Sequence, residues 1–297
     1  ETPKGEETPK GEETPKGEET PKGEETPKGE ETPKGEETPK GEDIRITPIY
    51  VDQLNSNESI NIYPTIGQAI KNAIDGDTII VRYGHYSEII SIDMPLTLIG
   101  EDINNKPVLS RANISERCKD PYIYINSSDV NVVGFNISMQ SGAGGIIGIH
   151  VKCKELYCNN ITINNNYIYG YSRGILIENC QEGCSLRGNQ ILIPPNAICA
   201  KTNNNGGGIA LIGCNNSTIV LNRIEGYGSR GSYTDGVGIM SSRDIIINDN
   251  NFINLKCGII KYSPSSIKND VCAPNNSFDN IAIDYPDNKA RSMCLRR

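Results

Sequence analysis

Between Val130 and Ile260 short runs alternate apolar and polar residues, and one phrase keeps returning. An Asn is followed two residues later by an apolar residue, and after a Gly-containing stretch comes Gly-Ile, opening a further alternating run. The phrase reads Asn166-Tyr167-Ile168 with Gly174-Ile175, Asn189-Gln190-Ile191 with Gly208-Ile209, Asn222-Arg223-Ile224 with Gly238-Ile239, and Asn250-Asn251-Phe252 with Gly258-Ile259. Strict alternation predicts half-buried strands. Recurrence of the Asn at spacings of 23, 33 and 28 residues predicts a solenoid whose coils share strands and differ in loop length. The expected fold is therefore a parallel β-helix. Ile175, Ile209, Ile239 and Ile259 should form one buried stack along its axis, and Asn166, Asn189, Asn222 and Asn250 a ladder of turn carboxamides satisfying the backbone at each corner.

The entry to this array carries a different period. Ile66, Ala69, Ile70, Ala73 and Ile74 make one apolar helical stripe. Thr65 with Gln68 forms a capping box, and Asp75-Gly76 should end the helix. A short amphipathic helix here would cover the strand edges of the first coil. Strand-like runs follow at Thr78–Val81, Ile89–Ile92 and Leu96–Gly100.

Composition divides the chain. Residues 1–42 are seven copies of Glu-Thr-Pro-Lys-Gly-Glu, with 7 Lys against 14 Glu. Removing these from the chain's 29 basic and 37 acidic residues leaves 22 against 23, so the net charge of −8 belongs almost wholly to the repeats. A repeat without large apolar residues cannot offset chain entropy, and 1–42 is expected to be a disordered tail, acting as a tether or spacer or having no dedicated role. Residues 43–297 are expected to form the β-helix domain. Near-neutral charge there, with an acidic tail, argues against nucleic acid as a partner. No apolar run reaches the length of a membrane-spanning helix.

The segments Ile66-Gly67-Gln68-Ala69-Ile70, Gly76-Asp77-Thr78-Ile79, Gly84-His85-Tyr86-Ser87-Glu88 and Leu96-Thr97-Leu98-Ile99-Gly100 resemble the opening of pectin-lyase-like β-helix proteins. The Asn and Gly-Ile phrases resemble the generic repeat of that superfamily, over about residues 60–285. The resemblance implies an all-β, right-handed single-stranded parallel β-helix with a short N-terminal capping α-helix. It implies no single activity, because lyases, esterases, hydrolases, epimerases and non-catalytic surface proteins share the scaffold. The paired-Asp motif of the hydrolases and the Gln-Asp pattern of the esterases are absent, so neither activity is expected.

The folded part holds 33 Asn and all ten Cys, the latter between Cys118 and Cys294. Cys153, Cys180 and Cys214 follow the Gly-Ile steps at matching places and should stack on neighbouring coils, close enough for oxidation. An even Cys count, with Asn-x-Ser/Thr sequons at Asn57, Asn113, Asn126, Asn136, Asn160, Asn215, Asn216 and Asn275, favours an extracellular or cell-surface glycoprotein with disulfides over a reduced, thiol-bearing one. The Cys spacing makes no zinc site. No cofactor motif appears. The oligomeric state is unread.

Only two His exist. His85 reads as a solvated turn residue. His150 shares a strand position with Leu176, Ala210, Met240 and Ile260, so it reads as a surface-strand residue. The candidate chemistry lies in a duplicated turn. Tyr171-Ser172-Arg173-Gly174 recurs as Tyr227-Gly228-Ser229-Arg230-Gly231, and Lys201 and Lys256 occupy matching connections. Such a basic, Tyr-edged stripe suits a linear acidic polysaccharide, bound by Tyr171, Arg173, Lys201, Tyr227 and Lys256. A solvated Arg in a turn that merely needs Gly explains the duplication too. Were the protein an enzyme, it would be a polysaccharide lyase or uronate epimerase. Arg230 or Tyr233 would then remove the proton next to the carboxylate, Arg173 would neutralise that carboxylate, and Asp235 would act as acid or hold Ca²⁺. The alternative is a non-catalytic surface, adhesion or structural rod.

Overall fold

A computed structural model describes residues 48–55, 57, 60–111, 120–139, 145–153, 157–194, 206–226, 234–262 and 271–281. Every strand pair of its three sheets is parallel. The chain visits the first, second and third sheets in turn and returns one rung further along. One coil is Val130–Val133, Asn136–Met139 and Gly145–Val151. The next is Ile161–Asn164, Tyr167–Tyr169 and Tyr171–Glu178, followed by Cys184–Arg187, Gln190–Ile193 and Gly206–Ile212. Thr218–Val220, Arg223–Gly226 and Thr234–Met240 make the coil after that, and Ile245–Asn248, Asn251–Ile253 and Cys257–Tyr262 another. The fold is a right-handed, single-stranded parallel β-helix. Inward positions of all three sheets are Ile, Val and Leu, joined into one apolar core along the axis.

From Val130 onward the corner between the first and second sheets ends in two residues whose roles are fixed; the earlier connections, 82–84 and 101–107, are longer. The first adopts left-handed backbone geometry: Gly134, Asn165, Gly188, Leu221, Asp249 and Asn275 all have positive φ. The second, in five successive coils, is an Asn pointing inward: Asn166, Asn189, Asn222, Asn250 and Asn276. The Oδ1 of Asn189 accepts from the backbone N–H and the Nδ2 of Asn166, at 3.1 and 3.2 Å. Asn222 serves Asn189 in the same way, both at 2.9 Å, and Asn250 serves Asn222. Each Nδ2 also reaches back to a carbonyl of the coil before, that of Asn189 to Ile163 at 2.7 Å and that of Asn222 to Leu186 at 3.0 Å. The four expected rungs are thus confirmed, and Asn276 extends them by accepting from Asn250. The ladder starts where Phe135 stands in the Asn position and donates its N–H to Asn166 Oδ1.

The isoleucine stack needs one change of register. Ile123, Ile149, Ile175, Ile209, Val237 and Ile259 pair in order across the third sheet. Ile239 is buried as expected, but belongs to the neighbouring inward stack with Ile177 and Leu211. The step that corresponds to Gly174-Ile175 is Gly236-Val237, because this strand offers two Gly-apolar steps, Gly236-Val237 and Gly238-Ile239. Only Gly fits at that place: a Cβ at Gly174 would lie 2.8 Å from Gly208 O, and one at Gly208 2.7 Å from Gly236 O.

At the entry, Ile66–Lys71 forms the capping helix, with Thr65 accepting from Gln68 N. Both oxygens of Glu88 accept from the first turn, from Ile66 N and Gly67 N at 2.8 Å each. This anchors the helix to the first complete coil. It ends at Lys71 with Asn72 as its cap, earlier than Asp75-Gly76, and the last residue of the stripe, Ile74, is left exposed.

The cysteines depart from the expected stack. Bridges close short connections within coils, Cys153 to Cys158 and Cys180 to Cys184, and Cys272 is also disulfide-bonded. Cys180 and Cys214 lie three residues beyond the paired Ile177 and Leu211, whereas Cys153 lies two beyond Val151 and falls out of register. Cys214 keeps a buried thiol facing the carbonyls of Ile177 and Ile212. Burial pushes its pKa up to about 11. Among the described residues no helix is long and apolar enough to cross a membrane.

Asn222→Ala should orphan the buried backbone N–H of Asn189 and one of its two Nδ2 hydrogens, the other keeping Ile163 O, at about 1–3 kcal/mol for each unsatisfied group. The half-buried end rung Asn276→Ala should cost less. Urea denaturation of the two variants checks the order; equal losses would show that the ladder does not act through buried, unsatisfied groups.

Candidate functional site

Connections are unequal around the coil. From Val130 onward the first-to-second corner is tight, while the second-to-third connections include the runs 112–122, 194–205 and 227–233. Long connections on one edge are where a solenoid gathers its variable, ligand-facing residues. All eight sequence-derived candidates lie at this edge in chain order. Lys201, Tyr227, Arg230 and Tyr233 fall outside the described residues. The others sit at the starts of the long third-sheet strands.

Arg173, Gly207 and Asp235 occupy one row, paired strand to strand. Arg173 and Asp235 are therefore two rungs apart, roughly 10 Å at normal strand spacing, with no side chain between them. Asp235 pairs with Cys257, so Lys256 is next to the same row. Arg173 and Lys256 are half-buried, and Asp235 is 8% exposed. The structure corrects the role given to Tyr171. It is 3% exposed and part of the apolar core, so its ring offers no surface to a sugar.

A second group on the outer face of the third sheet was not assembled by sequence reasoning. His150 pairs with Tyr124 on one side and Leu176 on the other. Its register partners further along are Ala210, Gly238 and Ile260, with Gly238 in the place expected for Met240. His150 Nε2 lies 2.8 Å from Glu178 Oε1, and Lys152 Nζ lies 3.2 Å from Glu178 Oε2. The Tyr124 ring meets His150 edge-on, with centroids 5.6 Å apart, while its hydroxyl donates to Lys152 O at 2.9 Å. Glu178 is thus gripped on both oxygens by groups from the adjacent strand. Burial opposes its ionisation, but hydrogen bonds from His150 and Lys152 outweigh that and hold its carboxyl below the usual range. His85, by contrast, is exposed, with Tyr83 edge-on to it.

The outer face is divided in character. Ser91, Asp93, Tyr124, Asn126, His150, Lys152 and Glu178 supply polar and aromatic groups on the N-terminal strands, and Asn126 Nδ2 donates to Asp93 at 3.0 Å. Leu176, Ile212, Met240 and Ile260 continue it as apolar surface, with Ala210 buried among them. Among the described residues no three His, Cys, Asp or Glu gather where they could hold a metal ion.

No protein-family model matches the chain, and no curated protein does. Solved structures similar to it include a pectin methylesterase from Aspergillus niger, at 14% identity and TM-score 0.47, over 83% of this chain and 88% of that one. Pectin methylesterase PemA from Erwinia chrysanthemi matches at 14% identity and TM-score 0.40, over 72% and 80%. A PL6 family alginate lyase matches at 13% identity and TM-score 0.41, over 82% of this chain and 38% of its own. The resemblance is one of fold. The site rests on this chain's own residues.

Because Glu178 is held ionised in the folded protein, its contribution is full above the usual carboxylate pKa of about 4.3 and is lost as pH falls through the lowered folded value. Glu178→Gln should lower the melting temperature near neutral pH and leave it closer to that of the unsubstituted protein at pH 3. Thermal melts across pH 2–7 check this, and a pH-independent difference would remove the ion pair as its cause.

Proposed function

We propose that the outer face of the third sheet binds a linear acidic polysaccharide. The reading is carried by the Tyr124, His150, Lys152 and Glu178 cluster, with the half-buried Arg173 near the start of the strand that carries Glu178. Seven parallel strands extend this face by roughly 29 Å at six strand spacings. A polyuronate carries carboxylates and hydroxyls in regular alternation. Lys152 and Arg173 suit the former and Glu178 the latter, and Glu178 holds Lys152 in place before ligand arrives.

Processing would be of the lyase or epimerase type and would begin at the C–H bond next to the uronate carboxylate. With Nε2 committed to Glu178, His150 has Nδ1 left to accept that proton. In β-elimination the C–H electron pair becomes the new C=C bond, the C4–O bond breaks, and the departing oxygen takes a proton. Arg230, Tyr233 and Asp235 remain alternative acids and bases at the second-to-third edge. Placement outside the cell or at its surface is part of this proposal, supported by the local disulfides, which suit an oxidising compartment. A second reading, a non-catalytic surface or adhesion rod, draws on the apolar half of the same face, where Met240 and Ile212 offer no reacting group.

Calorimetric titration with polygalacturonate and alginate, followed by ultraviolet assay for unsaturated product, separates the two. Lys152→Ala should weaken binding by roughly twofold to tenfold and lose its effect at high salt, since its ammonium is largely exposed. Arg173→Ala should weaken it further. If unsaturated product forms, His150→Gln should abolish it while retaining affinity. Binding without product leaves the non-catalytic rod, and unchanged affinity in the double variant removes this face as the site.

A further inference from the structure

The turn entering the first sheet has its own column of left-handed residues: Asp129, Asn160, Gly183, Asn216 and Asp244. Two of them, Asn160 and Asn216, begin sequons, Asn160-Ile161-Thr162 and Asn216-Ser217-Thr218. They are exposed and two rungs apart, roughly 10 Å. Gly183 stands between them without a side chain. Both Asn and both Thr line one open groove of about 430 Å³ on the outer face of the first sheet, with Asp129 and Glu182 at its rim and Ser185 on its floor. Its lining contains carboxylates, carboxamides and hydroxyls and no cationic side chain.

Asn57 and Asn275 also begin sequons and are exposed, but neither lines this groove. The three remaining described sequons differ in burial. Asn215, immediately before Asn216, is only 9% exposed, and its Nδ2 donates to Gln181 Oε1. Asn126 is half-buried and bonded to Asp93. Asn136 is half-buried at the start of a second-sheet strand, with its Oδ1 shut away from solvent. Modification replaces one Nδ2 hydrogen by a sugar ring. Asn160 keeps a second N–H for its 2.8 Å bond to Asp129, and the ring has open space before it. Asn215 is buried and lacks that space: a sugar ring on its Nδ2 would have to push the carboxamide out of its site against Gln181 and open the corner. Asn216, whose Nδ2 donates to Gln181 O, is exposed. Because transfer precedes folding, a chain modified at Asn215 is lost from the folded population.

We propose that Asn160 and Asn216 are N-glycosylation sites, and that the neutral first sugars of their glycans lie in the first-sheet groove. The donor is a lipid-diphosphate-linked oligosaccharide. The Asn Nδ2–C1 bond forms, the C1–O bond to the diphosphate breaks, the diphosphate leaves with the electron pair, and the carboxamide gives up one proton. Hydroxyls of the first sugars find acceptors in Asp129 and Glu182, and the absence of charge on them suits a groove lined by carboxylates. No sequon lies within any third-sheet strand, so these glycans would leave the opposite working face open. The inference rests on export of the chain and is independent of what the third sheet binds.

The test is secretion of the full chain from a eukaryotic cell line behind a supplied signal sequence, then enzymatic deglycosylation in heavy-oxygen water and peptide mass spectrometry. The expected result is occupancy at Asn160 and Asn216 and none at Asn126, Asn136 or Asn215. Thr218→Ala destroys the Asn216 sequon and leaves that of Asn215 intact, so the glycan at this corner should vanish and not move by one residue. Secreted, folded protein unmodified at Asn160 and Asn216, or modified at Asn215, overturns the proposal. Should the variant fail to be secreted, the site map of the unsubstituted chain still decides. Polysaccharide titration of the same material before and after deglycosylation reports separately on the third sheet.

Discussion

A buried carboxamide must find a partner for each of its polar atoms, and in this chain the backbone and the equivalent carboxamide of the adjoining coils supply them together. The ladder from Asn166 to Asn276 follows from that requirement. The four rungs Asn166, Asn189, Asn222 and Asn250 are buried, where an unmatched N–H or C=O is costly, so a shift of one residue in a middle coil would break bonds to two neighbours. The left-handed residue before each rung aims the carboxamide inward. Leu221 takes that geometry without the ease of Gly or Asn, which shows that the corner dictates the backbone to the residue. With this corner locked, strand phase in the second and third sheets follows, down to the placement of His150 one rung from Glu178.

The same locking explains what could be read from the sequence. Four rungs were visible because each Asn is followed by a short strand and a Gly-Ile step. Asn276 was missed because no such step follows Ser277–Asp279. Ile239 was shifted by two residues because Gly236-Val237-Gly238-Ile239 offers two steps, and period-two alternation makes both inward. The cysteines misled for a related reason. Matching sequence places suggested bridges between coils, yet Cys158 and Cys184 lie close enough along the chain for the connections to close on themselves.

The chemistry was less legible because its partners are set by register. His150 and Glu178 are 28 residues apart and share no motif, although counting two residues past the Leu176 that aligns with His150 arrives at Glu178. Tyr171 shows the opposite error. Its repeat with Tyr227 is real in sequence, but a Tyr at the first position of a third-sheet strand turns into the core beside Gly148, where its ring contributes packing. Arg173 and Asp235 are brought to one row because Gly207, between them, has no side chain to interrupt it.

A parallel β-helix offers three outer faces with identical backbone geometry, so differences between them must come from side chains and connections. The second sheet is met by the tightest corner. Small polar side chains, Asn131, Thr162, Ser185 and Thr218, repeat along the first-sheet groove, a surface well hydrated and suited to covalently attached neutral sugar. The third concentrates the His150 and Arg173 groups and abuts the longest connections. Because the coils from Asn166 to Asn276 are fixed by the ladder at the far corner, their faces cannot adjust independently by sliding strands. Adaptation to a ligand must come from the connections at the second-to-third edge, and it is there that the sequence varies most in length from coil to coil.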